Sequence, residues 1–182
     1  MKAYFLPLIV AADLLTGCYS STGPKSPTYE SARSNAIIPA NHQAADALLR
    51  QLDGQLTGST LLIATLVNID ALDSSSTLGR LVSEQISARF TQAGVRSIEM
   101  KFQNNVYISQ SQGEFMLTRE IHELAQNYSA QAVVVGTYAE SREFVFINLK
   151  VIQAGTNIVL AVHDYALPMD ANVRSMLMKR RQ

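Results

Sequence analysis

The groups through which this chain could do chemistry are few. They are one thiol, Cys18; three histidines, His42, His122 and His163; and a run of carboxylates and hydroxyls at Asp70, Asp73, Ser74, Ser75, Ser76 and Thr77. A thiol is the nucleophile from which a thioether is made, and because Cys18 stands alone, neither a disulfide within the chain nor a Cys-rich metal cluster can form. The histidines are far apart in sequence and lack an HExxH or paired-cysteine setting, so no metal site is expected. His122 and Glu123 have the residue types of an acid-base pair, but with Arg119 and Glu120 they read as the solvated side of a helix. His163, beside Asp164, falls on an inward alternation and reads as a half-buried histidine rather than a base. Gly54, Gly58, Gly79, Gly94, Gly113, Gly136 and Gly155 never gather into a phosphate-cradling loop. No cofactor and no catalytic residue is expected. The stretch Asp70 to Thr77 follows the carboxyl end of an expected central strand, where α/β folds often bind ligands. Helix capping explains the same residues equally well, and they are the candidate interaction surface.

The elements that must position these groups follow from periodicity. Asn41 is a candidate N-cap for a helix carrying Ala45, Leu48, Leu49, Leu52 and Leu56 at helical spacing, loosened by Gly54 and Gly58. Leu61 to Val67 is a nearly continuous apolar run, the pattern of a strand covered on both faces. Residues 73–76 cap a second helix with Leu78, Leu81, Val82, Ile86, Phe90 and Ala93 on one face, closed by Gly94. Short strands are expected at Ser97 to Phe102 and Val106 to Ser109 around the turn Asn104-Asn105. Ser111 and Glu114 have capping-box spacing before a third helix through Tyr128. Ala132 to Tyr138 repeats the buried-strand pattern, and Gly136 marks a close backbone approach. From Val145 the period is two, turning at Ala154-Gly155-Thr156-Asn157 and returning through Val159, Ala161, His163, Tyr165 and Leu167, a long antiparallel hairpin. A short helix from Asp170 to Met178 precedes the basic tail, residues 179–182. The expected fold is α/β (α+β): one domain over residues 41–178, a mixed β-sheet with helices packed on it and a C-terminal β-hairpin.

The composition agrees with one domain. The chain has 182 residues, 47% hydrophobic and 16% charged, enough for a single core. Its 15 basic and 15 acidic residues cancel, so no field gathers phosphate backbones and nucleic-acid binding is not expected.

The first residues differ in character. Lys2, the apolar run Ala3 to Ala12 and Leu15-Thr16-Gly17-Cys18 have the anatomy of an export signal, residues 1–17. The last four match the lipobox of bacterial lipoprotein signal peptides, in which the cysteine is diacylglyceryl-modified and the chain is cut before it. Asp13 interrupts the apolar region. Several acyl chains at about 0.8 kcal/mol per buried methylene would anchor Cys18 stably. The next residue is Tyr19 rather than an aspartate, which favours the outer membrane. Residues 18–40, rich in Ser, Thr, Pro and Gly, read as the lipid anchor followed by a flexible tether. Ile37 and Ile38 also suit an arm packed on the domain.

Residues 66–70 and 74–85, Leu-Val-Asn-Ile-Asp and Ser-Ser-Ser-Thr-Leu-Gly-Arg-Leu-Val-Ser-Glu-Gln, resemble the FlgO family of flagellar outer-membrane proteins. Residues 111–121, 131–138 and 164–168 fit the same family, so the resemblance spans about residues 42 to 175. It implies a non-catalytic protein on the periplasmic face of the outer membrane that builds or steadies the flagellum, with flagellar basal-body proteins as partners. The fold is also similar to the first domain of TolB and to the curli lipoprotein CsgG. A homo-oligomer or ring is therefore a further expectation. The alternative is a periplasmic regulator or binding module, such as a cell-wall synthase activator or a secretion-pore component.

Overall fold

A computed structural model describes residues 26–56, 58–100, 125 and 127–178. Its helices are α1 (Tyr29–Arg33), α2 (Ile37–Leu52), α3 (Thr77–Gln92) and α4 (Ala171–Leu177). Its strands are β1 (Thr60–Ala64), β2 (Val67–Asn68), β3 (Arg96–Met100), β4 (Ala132–Glu140), β5 (Phe144–Gln153) and β6 (Val159–Pro168). The strand order is β3-β1-β4-β5-β6, and β2 continues the line of β1 along β4. Half of the sheet is parallel: β1 pairs with β3 and β4, and Val67 of β2 stands opposite Thr137. The other half, β4-β5-β6, is antiparallel, with Leu149 opposite both Gly136 and His163. The fold is the expected single-domain α/β (α+β) arrangement with a mixed sheet and a C-terminal hairpin.

The two faces of the sheet are unequal. Leu61 and Ile63 of β1, Val134 and Tyr138 of β4, Val145, Ile147, Leu149 and Val151 of β5 and Leu167 of β6 point into one large core. Leu48 and Leu52 of α2, Leu78, Val82, Ile86 and Phe90 of α3 and Val173 of α4 fill it from the other side. On the opposite face a smaller cluster joins Leu62 and Val133 to Ala125 and Ala130. Further along that face, Phe144, Phe146 and Val162 are exposed.

Four expectations need correction. The strand expected from Leu61 to Val67 is broken between Ala64 and Val67. Alternation sends Leu61 and Ile63 into the main core and Leu62 to the other face; the break resets the phase, so Leu66 also enters the main core. The first long helix begins at Ile37, not after Asn41. Pro39 does not prevent this, because it lies in the first turn, where a missing N–H has no intrahelical partner to lose. The Asn35 side chain accepts from the Ile37 amide at 3.0 Å and opens the helix instead. Asn41 is therefore no cap: it is fully buried inside α2. The stretch read as tether is helical from Tyr29 to Arg33 and from Ile37 onward, and Ile37 packs into the core, as the packed-arm reading has it. Finally, Val159 and Ala93 are exposed rather than inward. Cys18 and its lipobox, the turn at 104–105, the strand at 106–109, Arg119, Glu120, His122, Glu123 and the tail 179–182 lie outside the described residues.

Candidate functional site

The break between β1 and β2 creates a problem that α3 and its preceding loop solve. Leu66 has left the strand ladder, yet it is buried, and both of its backbone polar groups need partners. Its N–H donates to the Ser83 hydroxyl at 2.9 Å, and its carbonyl accepts from the Ser75 hydroxyl at 2.6 Å. Ser83 in turn donates to the Gly79 carbonyl one turn earlier on α3, at 3.0 Å. The helix approaches so closely that a Cβ on Gly79 would lie 2.6 Å from the Leu66 carbonyl oxygen and 2.7 Å from the Ser75 hydroxyl. Gly79 is thus required by contact with its neighbours, although it lies inside a helix.

The loop itself is pinned by its own backbone. The Asn68 N–H donates to the Ser74 carbonyl at 2.9 Å, the Ser74 N–H to the Ala71 carbonyl at 2.8 Å, and the Ile69 N–H to the Tyr138 carbonyl at 3.0 Å. The Asn68 side chain accepts from the Asp70 amide at 2.8 Å. Ser76 caps α3, accepting from the Gly79 amide at 3.1 Å. The Arg80 guanidinium donates to the Thr77 hydroxyl at 3.3 Å.

These groups surround a cleft of about 380 Å³ lined by Asn68, the residues Ser74 to Thr77, Arg80, Tyr138, Glu140, Leu177 and Met178. Tyr138 is almost wholly buried, and burial pushes its hydroxyl's pKa up against a smaller opposing effect of its hydrogen bond with Ser76. It therefore stays protonated and polar at neutral pH. The cleft offers hydroxyls, one guanidinium, one carboxylate and the exposed thioether of Met178. Such a lining can receive a mixed polar and apolar protein surface.

Of the residues anticipated from sequence, Ser74, Ser75, Ser76 and Thr77 come together in this cleft, whereas Asp70 and Asp73 are exposed and do not line it. The supply of uncommitted hydroxyls is smaller than the sequence suggests. Ser75 holds the broken strand, Ser76 caps the helix and Thr77 accepts from Arg80; Ser74 remains. Arg80, Tyr138, Glu140, Leu177 and Met178 were not anticipated as site residues. Arg80 had a local signal, one turn after the capping serines. Leu177 and Met178 arrive from α4, about a hundred residues later, and no local pattern points to them.

Elsewhere, His163 is half-buried as expected, its ring stacked 6.0 Å from Tyr165. Tyr165 donates its hydroxyl to the Asn41 carboxamide oxygen, and the Asn41 amide nitrogen donates to Gln85 at 2.6 Å. This chain of side chains ties β6 to α2 and α3. Burial pushes the Tyr165 pKa well above the ordinary tyrosine value. Among the described residues, no three His, Cys, Asp or Glu side chains are grouped to hold a metal ion. No helix among them is long and apolar enough to cross a membrane.

The fold has relatives among solved structures. The C-terminal domain of LpoB from Escherichia coli superposes with a TM-score of 0.52 at 13% identity, covering 72% of this chain and 98% of that one. The corresponding domain from Salmonella enterica gives a TM-score of 0.47 at 16% identity, over 68% of this chain and 94% of that one. The lipoprotein GNA1162 from Neisseria meningitidis gives 0.40 at 14% identity, over 63% and 83%. No curated protein matches the chain in sequence. The model of the family described as FlgO protein matches residues 42–172, from the first turns of α2 to the start of α4. That match covers more than half of the sequence and runs through every described strand and all of the cleft lining except Leu177 and Met178, and the chain belongs to the FlgO family.

Proposed function

We propose that this protein is a non-catalytic lipoprotein of the outer membrane, held at its periplasmic face by acyl chains on Cys18, that supports assembly or stability of the flagellar basal body. The observation that carries this reading is the family match over residues 42–172. The lipobox at residues 15–18 supplies the anchor. In this reading the cleft beside α3 is the contact surface for basal-body proteins, with Ser74, Thr77 and Arg80 as its polar contacts. The test is alanine at Ser74 and at Thr77, with thermal midpoint measured alongside recovery in purified basal bodies. Alanine at a contact residue lowers recovery and leaves the stability derived from the melt within about 0.5 kcal/mol of wild type. Loss of recovery that always tracks a falling midpoint assigns the loop to folding alone and rejects the contact.

A second reading, a periplasmic regulatory lipoprotein, draws on the fold shared with the LpoB C-terminal domain. A deletion strain separates the two. Loss of swimming with damaged flagella supports the first, and intact flagella with co-purification of a cell-wall synthase supports the second.

A further inference from the structure

Among the described residues, strand β6 is an edge of the sheet, paired on one side only, with β5. Edge strands present unpaired backbone groups and are templates for pairing with another chain. This one begins in a hazardous sequence: Ile158-Val159-Leu160-Ala161-Val162 is uncharged, apolar, rich in β-branched residues and free of proline. Ile158, Val159 and Val162 are also exposed, at 56%, 47% and 46%.

Among the described residues, one side chain interrupts that edge. Gln51, near the end of α2, lays its carboxamide against Val162. The Val162 N–H donates to Gln51 Oε1 at 3.2 Å, and Gln51 Nε2 donates to the Val162 carbonyl at 2.8 Å. One carboxamide thus reproduces the donor and the acceptor that a peptide group of a neighbouring strand would offer. A further donation from Nε2 to the Ala47 carbonyl, at 3.1 Å, ties the side chain to its own helix. We propose that Gln51 closes the β6 edge against strand addition by a second copy of this chain, so that any assembly of intact copies uses another surface.

The experiment uses the full-length chain in detergent and compares wild type with Gln51→Ala and with Gln51→Ala combined with Val159→Lys. Mass is read by light scattering over a concentration series, at a temperature where all circular-dichroism spectra coincide. Gln51→Ala should at least double the mass relative to wild type as concentration rises. The added lysine, a charge on the edge, should return it to the wild-type value. An unchanged mass for Gln51→Ala overturns the proposal, and so does association that Val159→Lys leaves in place. Should Gln51→Ala fail to fold, Gln51→Met keeps the length of the side chain and removes both hydrogen-bonding groups without adding a charge. Exchange of the Val162 amide should then be faster than in wild type at low concentration, and the mass should rise above wild type as concentration increases. A monodisperse Gln51→Met of wild-type mass overturns the proposal.

Discussion

Leu66 shows how much one residue can require of its surroundings. Its N–H and carbonyl are each held by one serine hydroxyl, and its side chain occupies the space above Gly136, where a Cβ would lie 2.8 Å from Leu66 Cγ. Ser75→Ala should therefore lower stability by about 1–3 kcal/mol, the range for leaving a buried polar group unpaired, as measured by denaturant melts. Gly79→Ala poses two effects of opposite sign. Alanine is favoured over glycine in a helix by about 1 kcal/mol, but its Cβ would meet a backbone oxygen at 2.6 Å, and overpacking costs about 1–3 kcal/mol. Backbone cannot swing aside as a side-chain tip can, so the substitution should destabilise. At Tyr165 the hydroxyl pKa is raised by burial, so the folded state keeps its proton where the unfolded chain loses it. That contribution is complete below about pH 10 and disappears as pH rises toward the elevated folded value. Tyr165→Phe should flatten the alkaline fall in thermal midpoint while lowering the midpoint at neutral pH, because the buried Asn41 oxygen loses its donor. Little of this was legible in the sequence. Asn41 carries the chemistry of a cap, and only the return of β6, more than a hundred residues later, makes it a buried acceptor.

Among the elements, α3 does most to build the cleft. Ser76→Ala should cost about 1 kcal/mol through loss of its cap, and it should do so whether or not the cleft binds a partner. The packing of α2 against α3 includes a two-pronged contact in which Arg89 donates to both Asp46 oxygens, at 2.7 and 3.0 Å. The hydrogen bond from Arg89 is the largest influence holding the Asp46 carboxyl below its usual range. The stabilisation is present above about pH 4 and is lost as pH falls through the lowered value. Asp46→Asn should thus narrow the difference in thermal midpoint between acid and neutral pH and change the neutral midpoint little, since both groups are partly exposed. The elements themselves were well signalled. The valine run of β4, the alternation of β5 and the capping serines of α3 each follow from local chemistry. The failures came where a distant group overrode local preference: the strand break at Leu66, held by two serines from α3 and its loop, and the early start of α2, where Ile37 finds a core to enter.

For the whole molecule, the proposed attachment at Cys18 should be separable from the architecture of the domain. Cys18→Ser should release the protein from membranes without changing the domain's melting curve, because the domain has its own core and the proposed anchor precedes it in sequence. Full retention in the membrane fraction rejects the lipid anchor and requires a protein partner to hold it. The mixed sheet also has a consequence in time. Strands β5 and β6 meet across a short turn, residues 154–158, whereas β1 pairs with β4 only after the chain between Leu61 and Ala132 has been gathered in. Loop-closure entropy and contact order both let the hairpin form first and leave the parallel half, with the helices it needs, until later. In that interval the outer edge of β6 has no Gln51 against it, because α2 has not docked. On the proposed role of Gln51, this edge is more open during refolding than in the folded protein, and refolding losses should rise with protein concentration, as light scattering during dilution from denaturant would show.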